Sequence, residues 1–450
     1  MNESNAMNEL FEKESIPKAY FKLALPVVIS MVVNMVYNLI DTFFIAKTQN
    51  PDMVAAVTVC TPLFSFMIAM GDIFGLGGSS AVSRFLGKRQ NDTAKRISSF
   101  CLYASIVFSF LVTFVLLIFE HPILKMLGAT QATYTYASGF YRIMSVGAVF
   151  IIASLVPTNL LRTEGLAKES MIGSVGGTFM TIILDPIFIF GCHMGPAGAS
   201  LATVLGYLIT DLIYIYMVLT RCKVITLSIK FSFNMQKEWI KNVILIGIPA
   251  SVTNLMQSFG LALLNRYLVP YGTDQLAALG IVTKVYMIIT LIMVGFAFGA
   301  QPLIGYNYGA QNMQRFKKII DFDILVEVVY AVTFAVILML IAPFALRLFM
   351  NDPQIIYSGT YMLRALLSST PFFGTVLVFT TVFQSANKAL DALIMSITRQ
   401  GIILLIVIVI LSNLFHYHGV IWSQPVSDVL TCLLGFMIYK TTFKNKKSSK

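Results

Sequence analysis

Long unbroken apolar runs, rather than alternation, dominate the chain. They lie at 21–46, 53–82, 98–119, 134–161, 170–191, 196–220, 243–268, 275–304, 320–347, 355–384, 390–413 and 419–440. A helix crossing a bilayer takes about 20 mostly apolar residues, and each run reaches that length. A barrel strand would be roughly half as long and would alternate in polarity, which these runs do not. The pattern predicts an all-α integral membrane protein with twelve transmembrane helices.

Composition agrees with the pattern. The 450 residues are 57% apolar and only 12% charged, about half the charged share of a soluble domain, which is roughly 25%. Mean hydropathy is +0.79. A soluble enzyme and a disordered chain are both excluded, because each needs far more polar surface. Five cysteines stand at 60, 101, 192, 222 and 432 with no C-x-x-C spacing, so no zinc ribbon or redox dithiol is indicated.

The net charge of +11 raises the question of nucleic acid, but its placement gives another reason. Arg84, Lys88, Arg89, Lys95, Arg96, Arg162, Lys168, Arg221, Lys223, Lys230, Lys237, Lys241, Arg315, Lys317 and Lys318 fall on alternate loops with the two tails. Cytoplasmic loops collect Lys and Arg. Both termini are therefore expected in the cytoplasm, and no nucleic-acid partner is required. The expected organisation is a cytoplasmic segment 1–20, an N-lobe 21–220, a basic linker 221–242, a C-lobe 243–440 and a basic tail 441–450.

The two halves repeat. Gly77 to Gly87 (GGSSAVSRFLG) closes the second run, and Gly299 to Gly309 (GAQPLIGYNYG) closes the eighth. The same shift of 222 positions sets Ala55-Ala56 on Ala277-Ala278 and Arg162-Thr163 on Gln384-Ser385; a shift of one more sets Leu25-Pro26 on Ile248-Pro249. Six spans is an even number, so the copies share one orientation. The expected architecture is two six-helix lobes related by a pseudo-twofold axis along the membrane normal. Transporters commonly use such repeats, with the site between them.

These segments, with Leu161 to Gly165 (LRTEG), Asp185-Pro186, Gly198-Ala199 and Ala202-Thr203, resemble the multidrug and toxic compound extrusion (MATE) family, its bacterial MepA-like and DinF-like branches above all. The resemblance covers nearly the whole chain. It implies a secondary antiporter in the bacterial cytoplasmic membrane. Two lobes flanking a V-shaped cleft would export organic cations or amphiphilic drugs in exchange for H+ or Na+. No cofactor and no ATP are implied, and a monomer surrounded by lipid is expected.

Acids inside spans are costly and are functional candidates by default. Asp41 and Asp185 lie five and six residues inside their outer span ends, roughly 8–9 Å deep at the helical rise, and Thr203 reaches a similar depth on the sixth span. The resemblance places cation-coupling acids at Asp41 and Asp185. Asn34, Asn38 and Asp41 share a helix face beside Tyr37. Thr181 lies one turn before Asp185, and Pro186 removes a backbone donor there. Asp41, Asp185, Thr203, Thr181 and Asn38 are the expected coupling-cation residues, for a shared proton or for sodium on hard oxygens. Asn34, Tyr37, Asn159, Gln257 and Asn254 are the expected cavity residues.

Some MATE branches carry acids on spans 7 and 10. Span 7 here offers Asn254 and Gln257, and span 10 has no acid between Leu363 and Gln384, so no carboxylate cation site is expected in the C-lobe. Asp211, Asp391 and Arg399 sit toward span ends and read as snorkelling groups. Lys284 and Arg142 are deep enough to need partners; Asp72 falls mid-span beside Gly71 and Gly75, where backbones approach closely, and Asp428, after Gln424-Pro425, is expected to line the C-lobe. No G-x-S-x-G, H-E-x-x-H or Walker A pattern occurs, which argues against an enzyme or an ATP-driven pump. The rival readings are a lipid-linked saccharide flippase, which wants a basic cleft, and a receptor or scaffold.

Overall fold

The computed structural model describes residues 9–232 and 235–444. Among these residues the secondary structure is helical throughout. The spanning helices are α1 (Ile16–Ala46), α2 (Pro51–Gly87), α3 (Asn91–Ile118), α4 (Tyr134–Thr163), α5 (Ala167–Pro186), α6 (Pro196–Arg221), α7 (Lys237–Leu268), α8 (Thr273–Gly309) and α9 (Met313–Arg347). The tenth span, α10, is Pro353–Ser368 with Thr370–Ser385, bent by 46° between the pieces. The helix Ile403–Lys444 breaks at His416 (φ 50, ψ −125). Gly419 there returns against the backbone oxygen of Leu411. The break therefore separates two spans, α11 (389–415) and α12 (417–444), which makes twelve among the described residues.

Local chemistry starts several of these helices. Asn50 caps α2 by accepting from the N–H groups of Asp52 and Met53, with Pro51 at the first position, where its missing donor is not needed. Asp352 and Pro353 do the same for α10, and Asn312 caps α9. Prolines 26 and 249 interrupt α1 and α7 at matching points of the two repeats.

Helices α1–α6 and α7–α12 make up the two repeats, and the seam between them is dense, with α2 packed on α7 and α1 on α8. Their contacts come in twins. Gly87 of α2 meets the Tyr306 backbone oxygen of α8, and Gly309 meets the Arg84 backbone oxygen. Gly77 meets Val243 and Gly247 of α7, and Gly299 meets Ala24 of α1. Each partner is the repeat mate of the other, as a pseudo-twofold between parallel repeats requires. A side chain at either glycine of the first pair would overlap peptide backbone, so close approach demands glycine there.

All four contacts lie toward the end that carries the basic loops. The N-terminal segment covers that end. Residues Glu9–Lys13 form a π turn, and buried Phe11 stacks on Tyr306 at 4.9 Å. Glu12 accepts from the Tyr306 hydroxyl at 2.8 Å. Arg315 donates to the backbone oxygens of Phe11 and Glu14 at 2.9 and 2.6 Å. Toward the opposite end, α1, α2, α7 and α8 expose the polar residues Asn38, Thr42, Thr58, Thr61, Gln257 and Lys284. Polar side chains at such depths belong to a water-filled cleft rather than to lipid. The lobes are thus closed at the basic-loop end and open at the other.

Candidate functional site

Asp185 is the last residue of α5 before Pro186, and the chain continues as a π turn, Ile187–Gly191. Proline supplies no N–H, so the α ladder cannot continue unchanged past this point. Such π turns recur at functional sites. The carboxyl of Asp185 is fully buried, and α5 packs against α1, which carries Asp41. Both oxygens of Asp185 and Oδ1 of Asp41 are buried without a hydrogen-bond partner. Tyr37, one turn before Asp41, faces both acids. Its hydroxyl pairs with that of Thr203 on α6 at 2.9 Å. Asp41, Asp185, Tyr37 and Thr203 therefore form one cluster from three helices of the N-lobe.

The remaining expected residues stand at its edge or elsewhere. Thr181 is buried but donates to Gly177 O of its own helix at 3.1 Å. Its hydroxyl packs against Gly206. Asn38 is exposed and donates to Asn34 O at 2.8 Å. Asn34 instead accepts from Thr178 of α5 at 3.0 Å, a link that holds α1 to α5 below the acids. Asn159 lies apart from this cluster. It donates to Leu155 O and accepts from Arg162 near the basic-loop end. Asn254 donates to Asp72 across the lobe seam at 2.7 Å. Gln257 lines a small C-lobe cavity of about 40 Å³ with Asn254, Phe298, Phe373, Gln384 and Arg399.

Several expectations for the other charges change. Arg399 does not snorkel. It is buried, donates to Asp428 at 2.8 Å, and lies over the Phe373 ring at 4.0 Å. Asp428 also accepts from Ser369 and Gln424, so this network is internally satisfied. Arg142 is not deep in the membrane. It pairs at 2.8 Å with Glu120 of the short helix Glu120–Leu127.

Sequence reasoning missed two acids. Asp323 and Glu327 lie on α9 and are fully buried, so the C-lobe does hold a carboxyl pair. The signal was present: two acids four residues apart inside the most apolar of the helices. They sit just beyond Lys317, Lys318 and Asp321, which makes them read as the solvated start of a helix.

The comparisons with known proteins agree with this fold. The family model MatE matches the chain twice, over residues 26–187 and 249–410. The multidrug export protein MepA of Staphylococcus haemolyticus is 31% identical over 431 residues, 95% of this chain and 94% of its own length. MepA of Staphylococcus aureus is 31% identical over 428 residues with the same coverage. Among solved structures, an outward-facing multidrug resistance MATE family transporter superposes with a TM-score of 0.93 at 24% identity, covering 98% of each chain. A MATE in complex with MaD3S gives 0.91 at 24% identity, covering 98% of this chain and 99% of its own. At that identity the likeness is one of fold.

Proposed function

The chain belongs to the MatE family of transporters, and on that premise we propose that it is a multidrug efflux antiporter that exports organic cations in exchange for protons bound at Asp41 and Asp185. The observation that carries this reading is the set of carboxyl oxygens in the N-lobe that are buried and unpartnered. A buried charge without a partner is costly, and two like charges at close range cannot both ionise freely. A proton resolves both problems.

We take the ion to be a proton because the buried carboxyl oxygens have no hydrogen-bond partner, and a proton removes the charge that burial penalises. Thr181 and Asn38 donate to their own helices, so the groups nearest the ion are the two carboxyls and the Tyr37–Thr203 hydroxyl pair. Among the described residues no group of three or more His, Cys, Asp or Glu side chains is arranged for a metal ion.

In the open-cleft state, ionised Asp41 holds an organic cation at the wall of the cleft. Protons arriving from outside neutralise the pair, and the electrostatic hold on the drug is lost. The lobes then rock, the protons leave to the cytoplasm, and the basic-loop side admits the next drug. One elementary charge moving down 100 mV supplies about 2.3 kcal/mol, roughly a fiftyfold accumulation. The aromatic and methionine side chains of such a cleft suit varied organic cations. A flippase for a pyrophosphate-linked lipid needs several free cations in the cleft; Arg142 is engaged with Glu120, which leaves Lys284.

The test is ethidium transport in vesicles under imposed pH or sodium gradients applied separately. A pH gradient alone is expected to drive the wild type, and Asp41→Asn and Asp185→Asn to abolish transport while still inserting. Wild-type transport in both variants, or drive by sodium alone, would overturn the reading.

A further inference from the structure

The second buried carboxyl pair has no place in that exchange. Asp323 and Glu327 are four residues apart on α9, so they share a helix face as neighbours. Both are fully buried. They lie ten and fourteen residues into the helix, roughly 15 and 21 Å from its basic start by helical rise. Glu327 has no hydrogen-bond partner on either oxygen, and Oδ2 of Asp323 has none. Among the described residues, the one side-chain donor to the pair comes from the other lobe. The Tyr20 hydroxyl of α1 donates to Asp323 Oδ1 at 2.7 Å, across 303 residues of chain. Tyr20 is itself fully buried, edge-on to Phe322 and stacked near Phe296.

Among the described residues no cation bonds to the pair: on α1, beside Tyr20, Lys18 is exposed and paired with Glu14, and Lys22 is exposed. From the second piece of α10 the pair meets Gly374, against which Glu327 packs beside Met293 of α8, and Phe296 of α8 stacks on Tyr20. On α9 itself, Tyr330 lies beside Glu327 with its hydroxyl buried and unpartnered. Arg364, on the first piece of α10, is turned to the Met339 backbone. Lys317 and Lys318 are exposed at the start of α9. Two adjacent carboxylates with a single hydroxyl donor cannot both carry charge in this setting.

We propose that Asp323 and Glu327 are a second proton-binding site, which holds the basic-loop side of the lobes closed while a proton is shared between them and Tyr20 bridges the seam. No covalent step is involved. The proton sits on one carboxyl, and Tyr20 satisfies the other. When the lobes part on this side, Tyr20 withdraws with α1, water reaches the pair, and the proton leaves to the cytoplasm. The proposal takes from the preceding reading only that the lobes part here; it does not need drug exchange.

The chain carries its own reporter. Of its two tryptophans, Trp239 packs edge-on against Phe85 across the same seam at 6.3 Å, whereas Trp422 bonds to Tyr361 within the C-lobe. In purified full-length Trp422→Phe protein, Trp239 emission is expected to change as pH rises and the seam loosens. The infrared carbonyl band of a protonated carboxyl should disappear over the same range. Asp323→Asn with Glu327→Gln should flatten the emission profile and remove that band. Tyr20→Phe should keep the band titrating but uncouple it from Trp239, a result a merely structural pair would not give.

An unchanged profile in the double variant overturns the proposal. So does loss of the profile in Asp41→Asn/Asp185→Asn alone, which would assign the titration to the N-lobe and leave the exchange reading intact. A shift with sodium at fixed pH would also overturn it. If the double variant does not fold, Tyr20→Phe decides: coincident infrared and Trp239 titrations that match the parent exclude the bridge.

Discussion

The N-lobe pair Asp41–Asp185 and the C-lobe pair Asp323–Glu327 both hold buried carboxyl oxygens without a hydrogen-bond partner, and the two arrangements differ in a way that separates their roles. Asp41 and Asp185 come from different helices, with a hydroxyl pair beside them and Asp41 half-buried at the cleft. They can meet a solute. Asp323 and Glu327 come from one helix, are sealed from every side, and are touched by the opposite lobe through Tyr20. They can meet only a proton, and only when the lobes move. A third buried acid, Asp428, shows the contrasting solution: it is paired with Arg399 and saturated with donors, which leaves it nothing further to bind. Burial alone therefore does not mark a site; burial with unsatisfied oxygens does.

The largest expected effect tests the split directly. Asp41→Asn should lower ethidium exchange by more than tenfold and weaken binding of the drug itself, since a lost ionic contact in a low-dielectric wall is worth several kcal/mol. Glu327→Gln should slow turnover but leave drug affinity for the open cleft within about twofold, well under 1.4 kcal/mol. Equilibrium binding by fluorescence anisotropy beside vesicle efflux separates the two. Equal loss of affinity in both variants would erase the distinction between the lobes.

The fold was legible because the bilayer demands it. Apolar runs had to be helices, and the glycines at 77, 87, 299 and 309 marked the repeat, although only the packing showed that the two copies touch there. Asp41 and Asp185 were legible from depth together with family likeness. Asp323 and Glu327 were not, because what buries them is Tyr20, more than three hundred residues away in sequence, and no local pattern records that contact. Arg399 was misread for the same reason: Asp428 reaches it only after the chain reverses at His416. Thr181 and Asn38 show a different limit. Their spacing put them near the acids, but hydroxyls and amides in a helix bond back to the preceding turn when nothing stronger calls them away.

A second prediction breaks the saturated network. Asp428→Asn removes the charge that compensates buried Arg399, which should cost about 3–5 kcal/mol of stability. It should show as a lower thermal midpoint in detergent. Replacing both residues, Arg399→Met with Asp428→Leu, should recover much of the loss. If the single substitution leaves the midpoint unchanged, the pair is not sealed as described. A smaller effect is expected at the seam. Gly87→Ala places a methyl against the Tyr306 backbone oxygen, an overpacking of about 1–3 kcal/mol. That cost falls only on the state closed at the basic-loop end. Trp239 emission should move toward its seam-open value with little change in overall stability.

The smallest effect sharpens the comparison most finely, because it uses two tyrosines of one helix. Tyr37 and Tyr20 both lie on α1, and each hydroxyl has one side-chain partner: Thr203 for Tyr37 within the N-lobe, and Asp323 for Tyr20 across the seam. Thr203 keeps a bond to Ala199 O at 3.0 Å when Tyr37 is changed, so Tyr37→Phe leaves no buried group newly stranded. Its cost should be that of one neutral hydrogen bond, about 0.5–1.5 kcal/mol, with efflux reduced severalfold at most and Trp239 unmoved. Tyr20→Phe removes the sole donor to Asp323 and strands a buried carboxyl, so the same deleted atom should act on Trp239 there and not at Tyr37. If both substitutions move the seam equally, α1 acts as a rigid rod and the two acid pairs are not independent.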